Sequence, residues 1–256
     1  MKESKEVLQV GTVKFQAILG DIHDLQVDAV VQSSGTSLPG QPMQAAPWVI
    51  SADIHGTVSQ AFSVHQPFQL GDVLITPAGT LQAKYLFSAV VIDWGQQRLP
   101  PELLSPAVVT STAHKCIEVA AALGIKSIAF TPWGTRVGVS EASHVTALLV
   151  QAIASAVQVK AGSLEVIYLV SKDAEHYRWF LDRAFVFQIM NKQVDQLRQK
   201  IEELNLTEHD KQSLQELVGN LQHNLSTMTV VNIASGGDVN IGGDVTGRDK
   251  VIAAQK

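Results

Sequence analysis

Short apolar runs alternate with runs of helical period along residues 1–185. The apolar runs, which are typical of buried strands, lie at 12–19, 27–31, 72–76, 84–93, 125–130 and 164–170. Helical spacing follows Pro106 and Ser140, and a weaker helical pattern covers 47–63. Strands and helices in this order predict one α/β/α layered domain over residues 1–185.

Two of the predicted helices have a marked start and a buried face. Ser105 stands at an N-cap position, Pro106 at the first helical position, and Gly124 just past the end of the first helix. The apolar positions of that helix are Val109, Ala113, Cys116, Ile117 and Ala120. Those of the helix after Ser140 are Val145, Leu148, Leu149, Ala152, Ile153, Ala156 and Val157. We expect both faces to pack on the sheet, with Cys116 in the core.

Residues 124–141 read as a strand, a loop containing Gly134 and Gly138, and the start of a helix. Backbone N–H groups in such a loop, above a strand's carboxyl end and beside a helix N-terminus, can bind phosphate oxygens. That edge of an open α/β sheet is also where ligands bind. An ordinary tight connection between strand and helix is the alternative.

Residues 186–226 have a different pattern, with apolar positions alternately three and four apart. They are Phe187, Met190, Val194, Leu197, Ile201 and Leu204. This spacing is an a/d seam of about three heptads, and Thr207 stands where it can cap a second helix. The pattern predicts a helical hairpin or coiled coil, either self-associating or packed against the α/β domain.

Residues 227–256 form a glycine-rich segment in which apolar positions are separated by even numbers. Gly-Asp-Val occurs at 237–239 and again at 243–245. Short strands joined by glycine turns fit this pattern, and such units need neighbours on which to stack. A flexible glycine-rich end is the alternative.

Composition narrows the classes of function. The chain has a net charge of −5 and no basic field that would favour nucleic acid as a main partner. It contains one cysteine, no membrane-length apolar run and no signal-peptide pattern, so we expect a cytoplasmic protein with no membrane partner. Its histidines show no metal-binding spacing, so a metal site is not expected, and His23 reads as a solvated turn residue. No cofactor is expected either.

Three separated stretches together resemble the macro domain, a family of α/β/α modules with a mixed sheet that binds ADP-ribose and related nucleotides. Residues 15–31 are similar to its opening strand, Gly-Asp-Ile turn and second strand; residues 71–90 are similar to its Gly-Asp strand and Leu-x-Ala-Lys-Tyr turn. Residues 124–139 are similar to its lysine-led strand and glycine-rich phosphate loop. The resemblance covers about residues 7–185.

The resemblance implies a role for each ligand residue. Asp21, followed by Ile22, would accept a hydrogen bond from the adenine amino group, because an acceptor-only carboxylate there disfavours bases that present a carbonyl. The distal ribose would lie beside the segment Ser33 to Gly40, which begins with Ser33, Ser34 and Gly35. The diphosphate would lie in the loop formed by Gly134, Thr135, Arg136, Val137 and Gly138.

The chain also departs from the family pattern. Where active hydrolases carry Asn-Ala-Ala-Asn, it has Gln32 to Gly35, so the amide that holds the distal ribose is missing. Arg136 replaces a glycine of the phosphate loop; it could bind diphosphate oxygens or occupy their site. The aromatic that stacks on adenine falls at Ser171 or Lys172.

These features favour a non-catalytic module that binds or senses ADP-ribose or a related adenine nucleotide, with no catalytic residues and with oligomerisation through residues 187–252. An ADP-ribosyl hydrolase is the alternative in the enzyme class. A ligand-free scaffold is the third.

Overall fold

The computed structural model describes residues 3–35, 69–92, 105–134 and 142–227. The strands are β1 Glu3–Val10, β2 Val13–Leu19, β3 Ala29–Gly35, β4 Val73–Pro77, β5 Tyr85–Ile92, β6 Ser127–Phe130 and β7 Val166–Ser171. The helices are α1 Pro106–Ala122, α2 Ala142–Val159, α3 Ala174–Glu203 and α4 Glu208–Thr227, and a single 3-10 turn spans Ile22–Asp24.

The described strands form one mixed sheet with the order β1-β2-β7-β6-β3-β5-β4. Its five central strands, β2, β7, β6, β3 and β5, are parallel. β1 and β4 lie antiparallel at the two edges. This arrangement confirms the predicted α/β class with a mixed sheet, and it places the carboxyl ends of five strands at one edge.

Each face of the sheet carries its own apolar cluster, because alternate residues of a strand point to opposite faces. On one face, α1, α2 and α3 pack against Phe15, Phe87 and Phe130, all fully buried. On the other face, strand residues such as Val30 and Leu86 form a second cluster. The helical pattern at 47–63 lies outside the described residues.

The predicted faces of α1 and α2 are confirmed. All five apolar positions named for α1 and all seven named for α2 are buried. Ser105 is the N-cap residue of α1, although its side chain makes no capping hydrogen bond, and Pro106 opens the helix. Cys116 is fully buried, and burial raises the pKa of its thiol far above the usual range, so it packs in the core as expected.

Two strands differ from the prediction. β1 was not predicted, because residues 3–6 are polar and exposed and form only an edge strand on β2. β3 continues four residues beyond the predicted end at 31 and includes buried Gln32 and Ser34. The Gln32 amide can be buried because its Nε2 donates to Ser88 Oγ on β5 at 3.1 Å.

The C-terminal helices form a hairpin that continues directly from the α/β domain. α3 is one helix of 30 residues, so the predicted boundary at 185/186 falls inside it, and Phe187 belongs to the main core. Val194 and Ile201 pack against α4 through Val218 and Leu214. Thr207 Oγ1 accepts the Asp210 N–H at 3.2 Å, which confirms the predicted cap. Residues 228–256 lie outside the described part of the chain.

Candidate functional site

The predicted ligand residues that the structure describes lie at or near the carboxyl edge of the parallel strands. Asp21 follows the end of β2, Lys172 follows β7, and Gly134 lies four residues after β6. Gly35 is the last residue of β3. Because these strands are parallel, residues far apart in sequence share one edge, where ligands of open α/β sheets bind.

Asp21 is held by donors from two directions. It caps the 3-10 turn, and its Oδ1 accepts the His23 backbone N–H at 3.0 Å and lies 2.7 Å from His23 Nδ1. Its Oδ2 lies 2.7 Å from Lys172 Nζ. Ile22, the other predicted ligand residue of this turn, is buried, which fixes the turn to the sheet.

These contacts keep Asp21 ionised. Partial burial works to raise the pKa of the carboxyl, but the hydrogen bonds from Lys172 and from the backbone and ring of His23 outweigh it and hold the pKa well below its usual range. The side chain remains 34% exposed. A ligand can therefore reach a carboxylate that stays negatively charged at neutral pH.

The pairing of β2 with β7 explains why Lys172 reaches Asp21. Leu19 and Ser171 are register partners, and the Gly20 N–H donates to the Ser171 carbonyl at 2.9 Å. The two strands are therefore still hydrogen-bonded directly before Asp21 and Lys172, which keeps these two residues close to each other. Asp173 then caps α3 by accepting the N–H groups of the first turn of that helix, which fixes the backbone on the far side of Lys172.

The start of the predicted phosphate loop is well defined. The Thr131 N–H and Oγ1 both donate to the Val31 carbonyl at 3.3 Å, which ties the end of β6 to β3. Gly134 has a φ of +76°, a conformation that glycine adopts without strain. Thr135, Arg136, Val137 and Gly138 lie outside the described residues, so their phosphate contacts stay predictions.

Ser33, Ser34 and Gly35, predicted to border the distal ribose, form the last part of β3. Ser34 is buried, and the pairing with β5 shifts register between Ser34 and Gly35. The nearest side-chain amide before them, that of Gln32, is buried and bonded to Ser88. That amide therefore lies inside the sheet.

Two residues of this site were not assigned a ligand role from the sequence. His23 was read as a solvated turn residue, yet its ring contacts Asp21; Lys172 was noted only as the position of a missing aromatic. The available signal was that Lys172 follows a predicted strand at the ligand edge. Its partner depends on strand order, which periodicity does not give.

A second concavity lies away from these residues. A groove of about 680 Å³ is lined by residues of α1, of α2 and of the α3–α4 hairpin. Among its described lining residues, His114 alone is ionisable, and its Nε2 lies 2.9 Å from Ser155 Oγ. The groove contains none of the predicted ligand residues.

None of the described helices is long and apolar enough to cross a membrane. Among the described residues, no group of three His, Cys, Asp or Glu side chains could hold a metal ion. Cellular location and partners stay predictions.

Comparison with known proteins agrees with the fold. The family model described as Macro domain matches residues 43–149. An O-acetyl-ADP-ribose deacetylase of Salmonella newport is 28% identical over 178 residues, which covers 66% of this chain and 93% of that protein.

Two solved structures show the same fold at low sequence identity. The Oceanobacillus iheyensis macrodomain with ADP has a TM-score of 0.58 at 17% identity, covering 74% of this chain and 98% of that one. A Trypanosoma brucei macrodomain in complex with ADP-ribose has a TM-score of 0.51 at 17% identity, covering 66% of this chain and 68% of that one.

Proposed function

The α/β part of this chain is a macro domain, and from that premise we propose that it binds ADP-ribose or a related adenine nucleotide without turning it over. The observation that carries the proposal is the ionised, partly exposed Asp21 at the carboxyl edge of the parallel strands. A carboxylate there accepts the hydrogen bond that an adenine amino group donates. The solved relatives with ADP and with ADP-ribose support the same class of ligand.

Calorimetry with ADP-ribose tests the proposal on the wild type and on Asp21→Ala. Loss of a hydrogen bond to a charged acceptor costs about 1.5 to 3 kcal/mol, so affinity falls roughly tenfold or more. Glu165→Ala is the matched control, because Glu165 also forms a short ion pair with a lysine, Lys126 at 2.8 Å, but at the amino edge of the sheet. Absence of binding by the wild type at millimolar ligand would favour the scaffold alternative.

The absence of turnover has its own support. The segment proposed to border the sugar begins with Ser33, Ser34 and Gly35, which have no amide side chain, and the Gln32 Nε2 before them donates to Ser88 Oγ inside the sheet. A hydrolase needs the distal ribose held close to its productive pose, which small side chains do poorly.

The relative named O-acetyl-ADP-ribose deacetylase makes hydrolysis the second candidate function. We expect negligible release of acetate from O-acetyl-ADP-ribose and of ADP-ribose from modified protein, measured by chromatography with a known hydrolase as positive control. Robust turnover that Ser33→Ala or Ser34→Ala abolishes would establish the hydrolase instead.

The proposal includes self-association through the C-terminal extension. The apolar residues of the predicted a/d seam differ in burial. Phe187, Val194 and Ile201 are buried within the chain, whereas Leu197 and Leu204 are 47% and 49% exposed. Val186 and Ile189 continue this exposed apolar stripe along α3. A second copy of the chain that covers the stripe would remove this apolar surface from water.

A further inference from the structure

The groove lined by α1, α2 and the α3–α4 hairpin has an uncharged and largely apolar wall. Its described lining residues include no Asp, Glu, Lys or Arg. Leu148, Phe187, Met190 and Val194 supply apolar surface, and Val159, which also lines it, is 84% exposed. A concave apolar surface of about 680 Å³ is the kind of surface that an uncharged occupant covers.

Gly219 leaves this wall open on the side of α4. It lies inside that helix, where glycine is less favourable than alanine. A Cβ on Gly219 would meet nothing within 4 Å, so the packing of the described residues does not require a glycine there. Because Gly219 lines the groove, its missing side chain adds to the space that an occupant could fill.

The end of α4 brings the following chain to the groove. Val194 of α3 and Val218 of α4 belong to one apolar cluster, and α4 continues nine residues further, to Thr227. The two helices form a hairpin with the same rise per residue, so α4 ends near the level of the residue nine positions before Val194, Phe185. Phe187, one turn away, lines the groove. The chain therefore leaves α4 at the level of the groove.

The sequence after Thr227 matches the groove in charge. Between Glu216 and Asp238 there is no Asp, Glu, Lys or Arg, and residues 228–234 read Met-Thr-Val-Val-Asn-Ile-Ala. In an extended chain Val230 and Val231 would point to opposite sides, so this stretch offers no wholly polar face to water. Seven extended residues span about 23 Å, which is enough to run along the groove.

A second segment outside the described residues, 93–104, leads into α1, whose first residues also line the groove. This segment carries Asp93, Arg98 and Glu102. Burying such charges against an uncharged wall is costly. Residues 228–234 are therefore the better match.

We propose that residues 228–234 dock into the groove of their own chain and so attach the Gly-Asp-Val repeat to the α/β domain. Gln151 and Gln158 lie two turns apart on α2 and both line the groove. Their amides can donate to and accept from the backbone of an extended segment. The groove contains none of the predicted ligand residues, so this inference is independent of nucleotide binding.

Thiol labelling of full-length protein tests the docking. Val230→Cys and Val231→Cys would face opposite ways, so at least one thiol would point into the groove. The native Cys116 is fully buried, so in the folded protein a maleimide reports the new thiol. Compared with the same variant unfolded in urea, at least one of the two thiols should react about tenfold or more slowly, as resolved by mass spectrometry of the labelled peptide.

Gly219→Leu fills the groove and should remove this protection. Asn220→Leu is the matched control, because Asn220 is the next residue of α4, is exposed and does not line the groove. Thermal melts check that both variants stay folded. The protection should also be the same at tens of micromolar protein and below one micromolar.

Three results would overturn the proposal. Labelling of both thiols as fast as in urea would show that the segment is not docked. Protection that survives Gly219→Leu would place the segment elsewhere. Protection that is lost on dilution would assign the groove to a second copy of the chain.

Discussion

At the scale of single residues, two glycines with the same backbone conformation have different surroundings. Gly11 and Gly162 have φ values of +58° and +59°. A Cβ on Gly162 would lie 2.6 Å from the Ala121 Cβ, whereas a Cβ on Gly11 would meet nothing within 4 Å. Gly162 is thus where the loop before β7 touches the end of α1.

Alanine substitution at each glycine distinguishes the cost of backbone strain from the cost of steric overlap with a neighbouring residue. Gly11→Ala should lose about 1 to 2 kcal/mol of unfolding free energy, the cost of a left-handed conformation for a residue with a Cβ. Gly162→Ala should lose about 1 to 3 kcal/mol more, because the added methyl overlaps Ala121. Urea unfolding of both variants measures the difference, and equal losses would show that the loop moves away freely.

Asp28 ties together the starts of three strands. Its Oδ2 accepts the N–H groups of Lys126 and Ser127 at 2.9 and 3.1 Å, and its Oδ1 lies 3.2 Å from Lys84 Nζ. Partial burial works to raise the pKa of this carboxyl, but the two backbone N–H groups and Lys84 outweigh it and lower the pKa. Asp28 therefore stabilises the fold in its charged form.

The pH dependence of Asp28→Asn follows from that direction. Since the folded-state pKa lies below the unfolded value near 3.8, the stabilisation is present above about pH 4 and is lost as the pH falls through the folded pKa. The stability gap between wild type and Asp28→Asn should thus be open at pH 7 and narrow progressively as the pH falls below that unfolded value, as measured by urea unfolding. Asp195→Asn, at a side chain 73% exposed, should show no such gap; a constant gap for Asp28 would contradict the ionic origin.

At the scale of elements, hydrophobic periodicity correctly predicted the helices that have one apolar face. The buried faces of α1 and α2 follow from spacing alone, because helix position decides which residues meet the sheet. β1 could not be found this way, since its first four residues are exposed and only pairing with β2 holds them. The end of β3 was missed for a related reason: Gln32 and Ser34 are polar, and Gln32 is compensated by a partner on another strand.

The exposed stripe on α3 gives the prediction for self-association. Light scattering should find full-length protein at a multiple of 27.6 kDa. Leu197→Lys combined with Leu204→Lys should shift it towards the monomer, because lysine ammonium groups are costly to bury in an apolar seam. Leu123→Lys, at a leucine 44% exposed at the end of α1, is the control and should not. A monomeric wild type at tens of micromolar would leave the hairpin as an intramolecular brace.

At the scale of the whole molecule, the location of the candidate site could be predicted from the sequence, but not all of the residues that form it. Asp21 and Gly134 follow strands whose order along the chain predicts a shared edge. The contact of Lys172 with Asp21 could not be predicted, because it depends on β2 and β7 being neighbours although more than a hundred residues separate them in sequence. Hydrophobic periodicity does not give the order of strands in a sheet, so it cannot predict which side chains that order brings into contact.

One helix connects the two ends of this molecule. α3 begins beside Lys172 at the cap residue Asp173, passes through the main core at Phe180, and ends in the hairpin after Ile201. With 30 residues it is about 45 Å long. At that length, a tilt of about 5° about the first turn would displace the last turn by about 4 Å. The 30-residue helix is therefore one continuous connection between the carboxyl edge of the sheet and the hairpin.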